Sequence, residues 1–147
     1  MQCVFKQSFM LSATTAIALL FAGCGESKVA QCNKVIKVAN QTSTLGQEFG
    51  KNPNPAKGSK ALTELASKID SLVKEMKALE IKDEKLQGFQ GRFLTLYQDI
   101  SKELNNAATA IDKKNLPAAK GFLVSLKKSS TEESSIVNEI NSYCSGK

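Results

Sequence analysis

Apolar side chains recur at intervals of three and four residues along most of the chain after residue 27. This spacing is typical of helices that bury one face, whereas the alternation expected of strands is absent. The pattern predicts four helices, covering residues 27 to about 46, 60 to about 80, 84 to about 113 and 116 to 144. The predicted fold class is therefore all-α.

Several predicted boundaries coincide with residues that start or stop helices. Ser59, Asp83 and Asn115 are candidate N-caps, and Pro117 suits the first turn of the fourth helix. Glycines and prolines between residues 50 and 60 predict a loop. The first helix has a polar far end, so we expect it to fray early.

The second helix carries the clearest apolar stripe, and the third and fourth helices carry stripes of their own. The second stripe comprises Leu62, Leu65, Ile69, Leu72, Met76 and Leu79. The third comprises Leu86, Phe89, Phe93, Leu96, Tyr97, Ile100, Leu104, Ala107, Ala108 and Ile111. The fourth comprises Ala119, Phe122, Leu126, Val137, Ile140 and Cys144. Short connections between such helices favour an antiparallel, up-down four-helix bundle, which we assign to residues 29–147.

The amino-terminal residues, 1–23, predict a cleaved export signal. A short segment containing Lys6 precedes an apolar run from residue 9 to 21, and small residues follow. The run is shorter than the ~20 residues needed to cross a bilayer, so it reads as a signal peptide rather than a permanent span.

The sequence Ala22-Gly23-Cys24 resembles the lipobox of bacterial lipoproteins, although that family more often has Leu or Val where Phe21 stands. The resemblance implies cleavage before Cys24, lipidation of its thiol and a lipid-anchored linker over residues 24–28. The protein would then face the periplasm or another extracytoplasmic space, including a lumen. A plain secretory signal with a chance cysteine is the alternative.

Four cysteines are present, of which Cys3 would leave with the signal and Cys24 would carry lipid. Cys32 and Cys144 then have one possible pairing in an oxidising compartment. In an up-down bundle the start of the first helix meets the end of the fourth, which agrees with this disulfide. The wide separation of the pair in sequence indicates a structural role rather than redox catalysis.

The chain is moderately basic. The chain has 20 Lys and Arg against 14 Asp and Glu, and loss of Lys6 with the signal leaves 19 against 14, or +5. The lysines alternate with acids along the helices, as solvated faces do, and do not form the basic patch of a nucleic-acid binder. Attraction to anionic lipid headgroups is a functional alternative.

Two glycines interrupt the start of the third helix, in Gln87-Gly88-Phe89-Gln90-Gly91-Arg92. Gly88 and Gly91 lie opposite the apolar stripe, where each costs a helix about 1 kcal/mol relative to Ala. One interpretation is an irregular helix start. The other is a partner surface, with Gln87, Gln90 and Arg92 as polar contacts.

Ser130 and Glu133 fall inside the apolar stripe of the fourth helix. The favoured interpretation is that this turn extends beyond its neighbours into solvent. The alternative is a paired polar group that faces a cavity, since a buried carboxylate must be paired or its pKa rises.

The sequence contains no histidine, which removes the commonest general base and a common metal ligand. We therefore expect no catalysis, metal or cofactor. We expect a membrane-anchored envelope lipoprotein that acts as an accessory or protein-interaction module, with an unknown protein partner. A carrier of a small apolar ligand between the helices is the alternative, and a cavity beside Ser130 and Glu133 would favour it.

The segment Lys85-Leu86-Gln87-Gly88-Phe89-Gln90, with Tyr97-Gln98-Asp99 and the terminal Cys144, resembles small cyanobacterial lipoproteins of unassigned function. In architecture alone, the chain is also similar to the lumenal helical lipoproteins that assist photosystem II, but no motif of theirs matches. Neither resemblance implies an activity.

Overall fold

The computed structural model describes residues 26–51 and 58–146. The predicted signal peptide, residues 1–23, and the predicted lipidation site Cys24 lie outside the described residues. The described residues form four helices: α1 (Lys28–Lys51), α2 (Ser59–Ala78), α3 (Glu84–Asp112) and α4 (Leu116–Cys144). The all-α fold class is confirmed.

The helices run alternately up and down. α3 packs against α2 on one side and α4 on the other, and α1 lies along the remaining groove. Short connections make each consecutive pair of α2, α3 and α4 antiparallel. The core contains many fully buried side chains, among which the largest are Tyr97, Phe93, Met76, Leu86, Ile136, Ile140, Val35 and Val38.

Local hydrogen bonds explain where α3 and α4 begin. The Asp83 carboxylate accepts from the Leu86 N–H at 2.9 Å, and the Asn115 side chain accepts from the Ala118 N–H at 3.2 Å. Each bond satisfies one of the free N–H groups in a first helical turn, so both predicted caps are confirmed.

The predicted cap at Ser59 is wrong. Gly58 occupies the N-cap position of α2 with a φ of 49°, a left-handed conformation that glycine adopts without steric cost. Ser59 is the first helical residue, and its hydroxyl donates instead to Asp112 near the end of α3. This bond links the two helices at the end of the bundle opposite Cys32.

The expected early fraying of α1 is also wrong, because the helix continues to Lys51. Its polar residues are compatible with the helix: the Thr42 and Thr44 hydroxyls donate to the carbonyls four residues earlier. Thr42 is nevertheless the last buried residue of α1, and residues 43–51 are all partly or fully exposed. The second half of α1 therefore packs less closely on the bundle than the first.

One stripe position in α3 differs from the prediction. Ile111 is 37% exposed, and Ala110 is buried in its place. No helix of the described part of the chain is long and apolar enough to cross a membrane.

Candidate functional site

The two ends of the described domain are joined covalently. Cys32 in α1 and Cys144 at the end of α4 form a disulfide, with their Cα atoms 6.1 Å apart. This is the disulfide that the cysteine count predicts. Cys32 is buried and Cys144 packs against the core, so the bond belongs to the interior of this end of the bundle.

A buried glutamine connects the same end to the α2–α3 connection. Gln31 is 4% exposed, and its carbonyl oxygen accepts from the backbone N–H groups of Lys82 and Asp83 at 2.7 and 3.0 Å. Its amide donates to the Glu26 carbonyl at 2.9 Å. Gln31 therefore fixes the residues that precede α1 against the start of α3.

Tyr143 completes this end of the bundle. Its hydroxyl donates to the Asp83 carboxylate at 2.8 Å, and the Lys28 ammonium lies 3.6 Å from its ring centroid. The Leu86 N–H and the Tyr143 hydroxyl lower the pKa of Asp83, because both hydrogen bonds favour the charged carboxylate.

The glutamines of the predicted partner surface make contacts within the chain. Gln90 donates to the carbonyls of Met76 and Leu79 at 2.7 and 3.0 Å, and Gln87 donates to the Ile81 carbonyl at 2.7 Å. Both amides thus satisfy carbonyls at the end of α2 and just beyond it, which have no partner within a helix.

The other residues of that surface lie along the groove between α3 and α4. Arg92 makes a two-pronged ion pair with Glu139, with N–O distances of 2.7 and 2.9 Å. Gly88 and Gly91 face open space, since a Cβ at either position would meet no other atom within 4 Å. With Arg92, Asp99 and Glu132, they line a surface groove of about 420 Å³.

A larger cleft lies where the second half of α1 separates from α4. Its volume is about 600 Å³, within the range of roughly 300–1,000 Å³ typical of small-molecule sites. All four helices line it. The apolar side chains of the cleft are Phe49, Leu62, Leu65, Ile69, Ile100, Leu104 and Leu126.

The α1 side of the cleft explains why the space is empty. α1 contributes the large side chains of Gln47 and Phe49, but also Thr42, Ser43 and Gly46, whose small side chains leave room that larger residues would fill. A Cβ at Gly46 would meet no other atom within 4 Å. A depression of about 720 Å³ on the outer face of α1 is lined by residues of α1 and by Leu72 alone from the other helices, so it is less enclosed.

Glu133 brings a carboxylate into this apolar cleft. It is half-buried, and its Oε1 accepts from the Tyr97 hydroxyl at 2.9 Å. Removal from water raises the pKa of Glu133, and the hydrogen bond from Tyr97 offsets part of that rise. Burial and the neighbouring carboxylate also raise the pKa of Tyr97, so its proton stays on the phenol.

The favoured interpretation, that this turn of α4 lies in solvent, is confirmed for Ser130, which is exposed, and is wrong for Glu133. α4 is continuous through this region, and Glu133 is a paired polar group beside a cavity, as the alternative proposed. Ser130 lines the same cleft but is exposed.

Sequence reasoning missed Gln31 and the pairing of Glu133 with Tyr97. A single glutamine does not contribute to the periodic pattern of apolar residues, and a Tyr inside an apolar stripe is ordinarily interpreted as a core residue. The useful signal was a carboxylate inside the stripe of α4, combined with a Tyr inside the stripe of α3.

No protein-family model, curated protein or solved structure matches this chain. Within residues 26–51 and 58–146, no group of three or more acidic or cysteine side chains is placed to hold a metal ion.

Proposed function

We propose that this chain is a lipid-anchored, non-catalytic envelope protein whose helical domain binds a small apolar ligand in the cleft between α1 and α4. The observation that carries the proposal is the cleft itself, which all four helices line with seven apolar side chains and into which Glu133 is set, hydrogen-bonded to the fully buried Tyr97. Apolar walls with few polar groups are typical of small-ligand sites.

The anchor rests on the lipobox resemblance at Cys24 and on compartment chemistry. A disulfide between Cys32 and Cys144 supports export, because such bonds persist in oxidising compartments. Cys24 also precedes the start of α1 at Lys28 by four residues, so the tether would be short.

Labelling with radioactive palmitate tests the anchor. We expect incorporation in the wild-type chain, loss of the label in Cys24→Ser, and sensitivity of processing to globomycin. A chain that is exported but remains soluble and unlabelled would refute the lipid anchor and leave the plain secretory signal.

A substitution that fills the cleft tests ligand binding. Gly46→Leu places an apolar side chain in the empty space and replaces glycine by a better helix former. We expect the variant to fold and to bind the neutral apolar dye N-phenyl-1-naphthylamine at least about tenfold more weakly. The new Leu side chain covers apolar surface that the dye would otherwise contact, and the loss of a contact of that size costs more than about 1.4 kcal/mol of binding free energy.

Gly50→Leu is the matched control. Gly50 lies in the same helix, also faces open space, and does not line the cleft. Its dye affinity should equal that of the wild type. If the wild-type protein does not bind the dye, or if both variants bind it like the wild type, the cleft is not a ligand site.

A protein-interaction module remains a second candidate, favoured by the open groove at Gly88 and Gly91. Crosslinking in intact cells, followed by pull-down and mass spectrometry, should recover one membrane complex that Gly91→Gln abolishes. Gly121→Gln is the control, because Gly121 is also helical and open but lies outside this groove. Recovery of the same complex with Gly91→Gln would exclude this surface.

A further inference from the structure

The charge of Glu133 has no counterion in the described part of the chain. Lys34 pairs with Glu26 and Arg92 with Glu139, and no ion pair to Glu133 is seen among the described residues. Tyr97 is the one hydrogen-bond partner seen for Glu133, and a phenol is a neutral donor. A carboxylate has about four acceptor positions on its two oxygens, so most of its capacity is unused.

The groups around Glu133 determine which ligand head groups the cleft would favour. α1 and α2 present neutral or apolar side chains to the cleft, and α3 presents Ile100 and Leu104. Behind this lining, the buried Tyr97 of α3 is the titratable group in contact with Glu133. From α4, Lys127 also lines the cleft, but it is exposed and stands six residues before Glu133, outside the spacings of three and four residues at which side chains of one helix pair. Lys127 therefore keeps its hydration at the rim.

Given the proposed ligand cleft, on which this inference rests, we propose that its occupant is an amphiphile with an alkyl chain and a protonated amine head, held by Glu133. An ammonium group would supply the missing opposite charge and donate to the unused carboxylate positions. The leucines and Ile69 on the opposite walls would take the alkyl chain.

The geometry disfavours the two other simple head groups. A carboxylate head would meet the charge of Glu133 inside the cleft and would have only the hydrated Lys127 as a partner. An alcohol head would hydrogen-bond to Glu133 but leave its charge uncompensated. The expected order of affinity is therefore amine, then alcohol, then carboxylate.

The test compares decylamine, decanol and decanoate as competitors of N-phenyl-1-naphthylamine at pH 7. The two ionic ligands are kept below their micelle-forming concentrations and decanol below its solubility limit. The protein is the full chain with Cys24→Ser, which removes competing acyl chains. We expect decylamine to bind about tenfold more tightly than decanol, the gain typical of one charge-assisted contact. Decanoate should bind most weakly.

Two variants assign the preference to one carboxylate. Glu133→Gln keeps the size of the side chain and its acceptor for Tyr97, and it should bring decylamine and decanol to equal affinity. Glu132→Gln removes the same charge from an exposed neighbour that lines the α3–α4 groove instead, and it should keep the tenfold preference.

The outcomes separate this inference from the proposed function. Binding of dye and decanol without any preference for decylamine would overturn the amine head and leave the ligand cleft standing. A preference that survives Glu133→Gln would overturn the role of this carboxylate. Failure of every ligand to bind would overturn the proposed function as well.

Discussion

Loss of the disulfide should destabilise the domain strongly, and the length of the loop that the disulfide closes determines the size of the effect. The bond joins residues separated by 112 positions and so closes nearly the whole described domain into one loop. In the reduced unfolded chain these ends are free, which raises the entropy of the unfolded state. The perturbation is the double variant Cys32→Ala/Cys144→Ala.

The chain-entropy relation gives about 4.8 kcal/mol at 25 °C for a loop of 112 residues. Cys32 is 1% exposed, so its truncation adds a small packing loss to that figure. Measured losses for native disulfides run from about 2 to 5 kcal/mol. Because domains of this size are stable by only about 5–15 kcal/mol, we expect the variant to fold with a greatly reduced margin.

Urea unfolding followed by circular dichroism at 25 °C measures this loss in the free energy of unfolding. Wild-type protein reduced with a thiol should show the same loss as the double variant, because both lack the crosslink. A loss below about 1 kcal/mol in both samples would refute the loop-closure argument.

Three further perturbations have defined outcomes. Gln31→Ala removes the acceptor of two backbone N–H groups and should cost about 2–3 kcal/mol in urea unfolding, whereas the exposed Gln41→Ala should change stability by less than about 0.5 kcal/mol. Glu133→Gln should be more stable than wild type at pH 7 and equal to it at pH 4. The reason is that the pKa of Glu133 in the folded protein is raised above its ordinary value of 4.5. The stability of the wild type therefore falls as the pH rises from about 4.5 through the folded pKa. Unfolding curves across this pH range check the sign. Gly88→Ala and Gly91→Ala should each raise stability by about 0.5–1 kcal/mol in thermal melts, and a loss would indicate contacts at these positions.

The fold could be predicted from the sequence because the residues within and next to each helix indicate that helix. The stripes of α2 and α3 gave the buried faces, and the side chains of Asp83 and Asn115 determined two helix starts by local hydrogen bonds. The cysteine count and the topology independently indicated the same pairing. These are all short-range or topological signals, which a single sequence displays directly.

The errors arose where tertiary contacts outweighed local preference. Ser59 is a good cap by composition, but its hydroxyl donates to Asp112, which only the folded bundle brings near. The polar far end of α1 is a different case, because it stays helical while packing less closely on the bundle, and its Thr42 and Thr44 hydroxyls bond to carbonyls of the same helix. Glu133 looked solvent-exposed because the hydroxyl that pairs with it, that of Tyr97, comes from another helix.

The disulfide also determines how mechanical load would pass through the domain. A pull between the residue that precedes α1 and the residue that follows α4 passes through the first turn of α1 to Cys32 and leaves at Cys144, so it crosses the disulfide and leaves the rest of the four helices unstretched. The cleft begins about 15 Å farther along the bundle, since Thr42 follows Cys32 by ten residues of helix. Tension on the chain ends therefore bypasses the cleft, and a force that opens the cleft must be applied from the side, between α1 and α4.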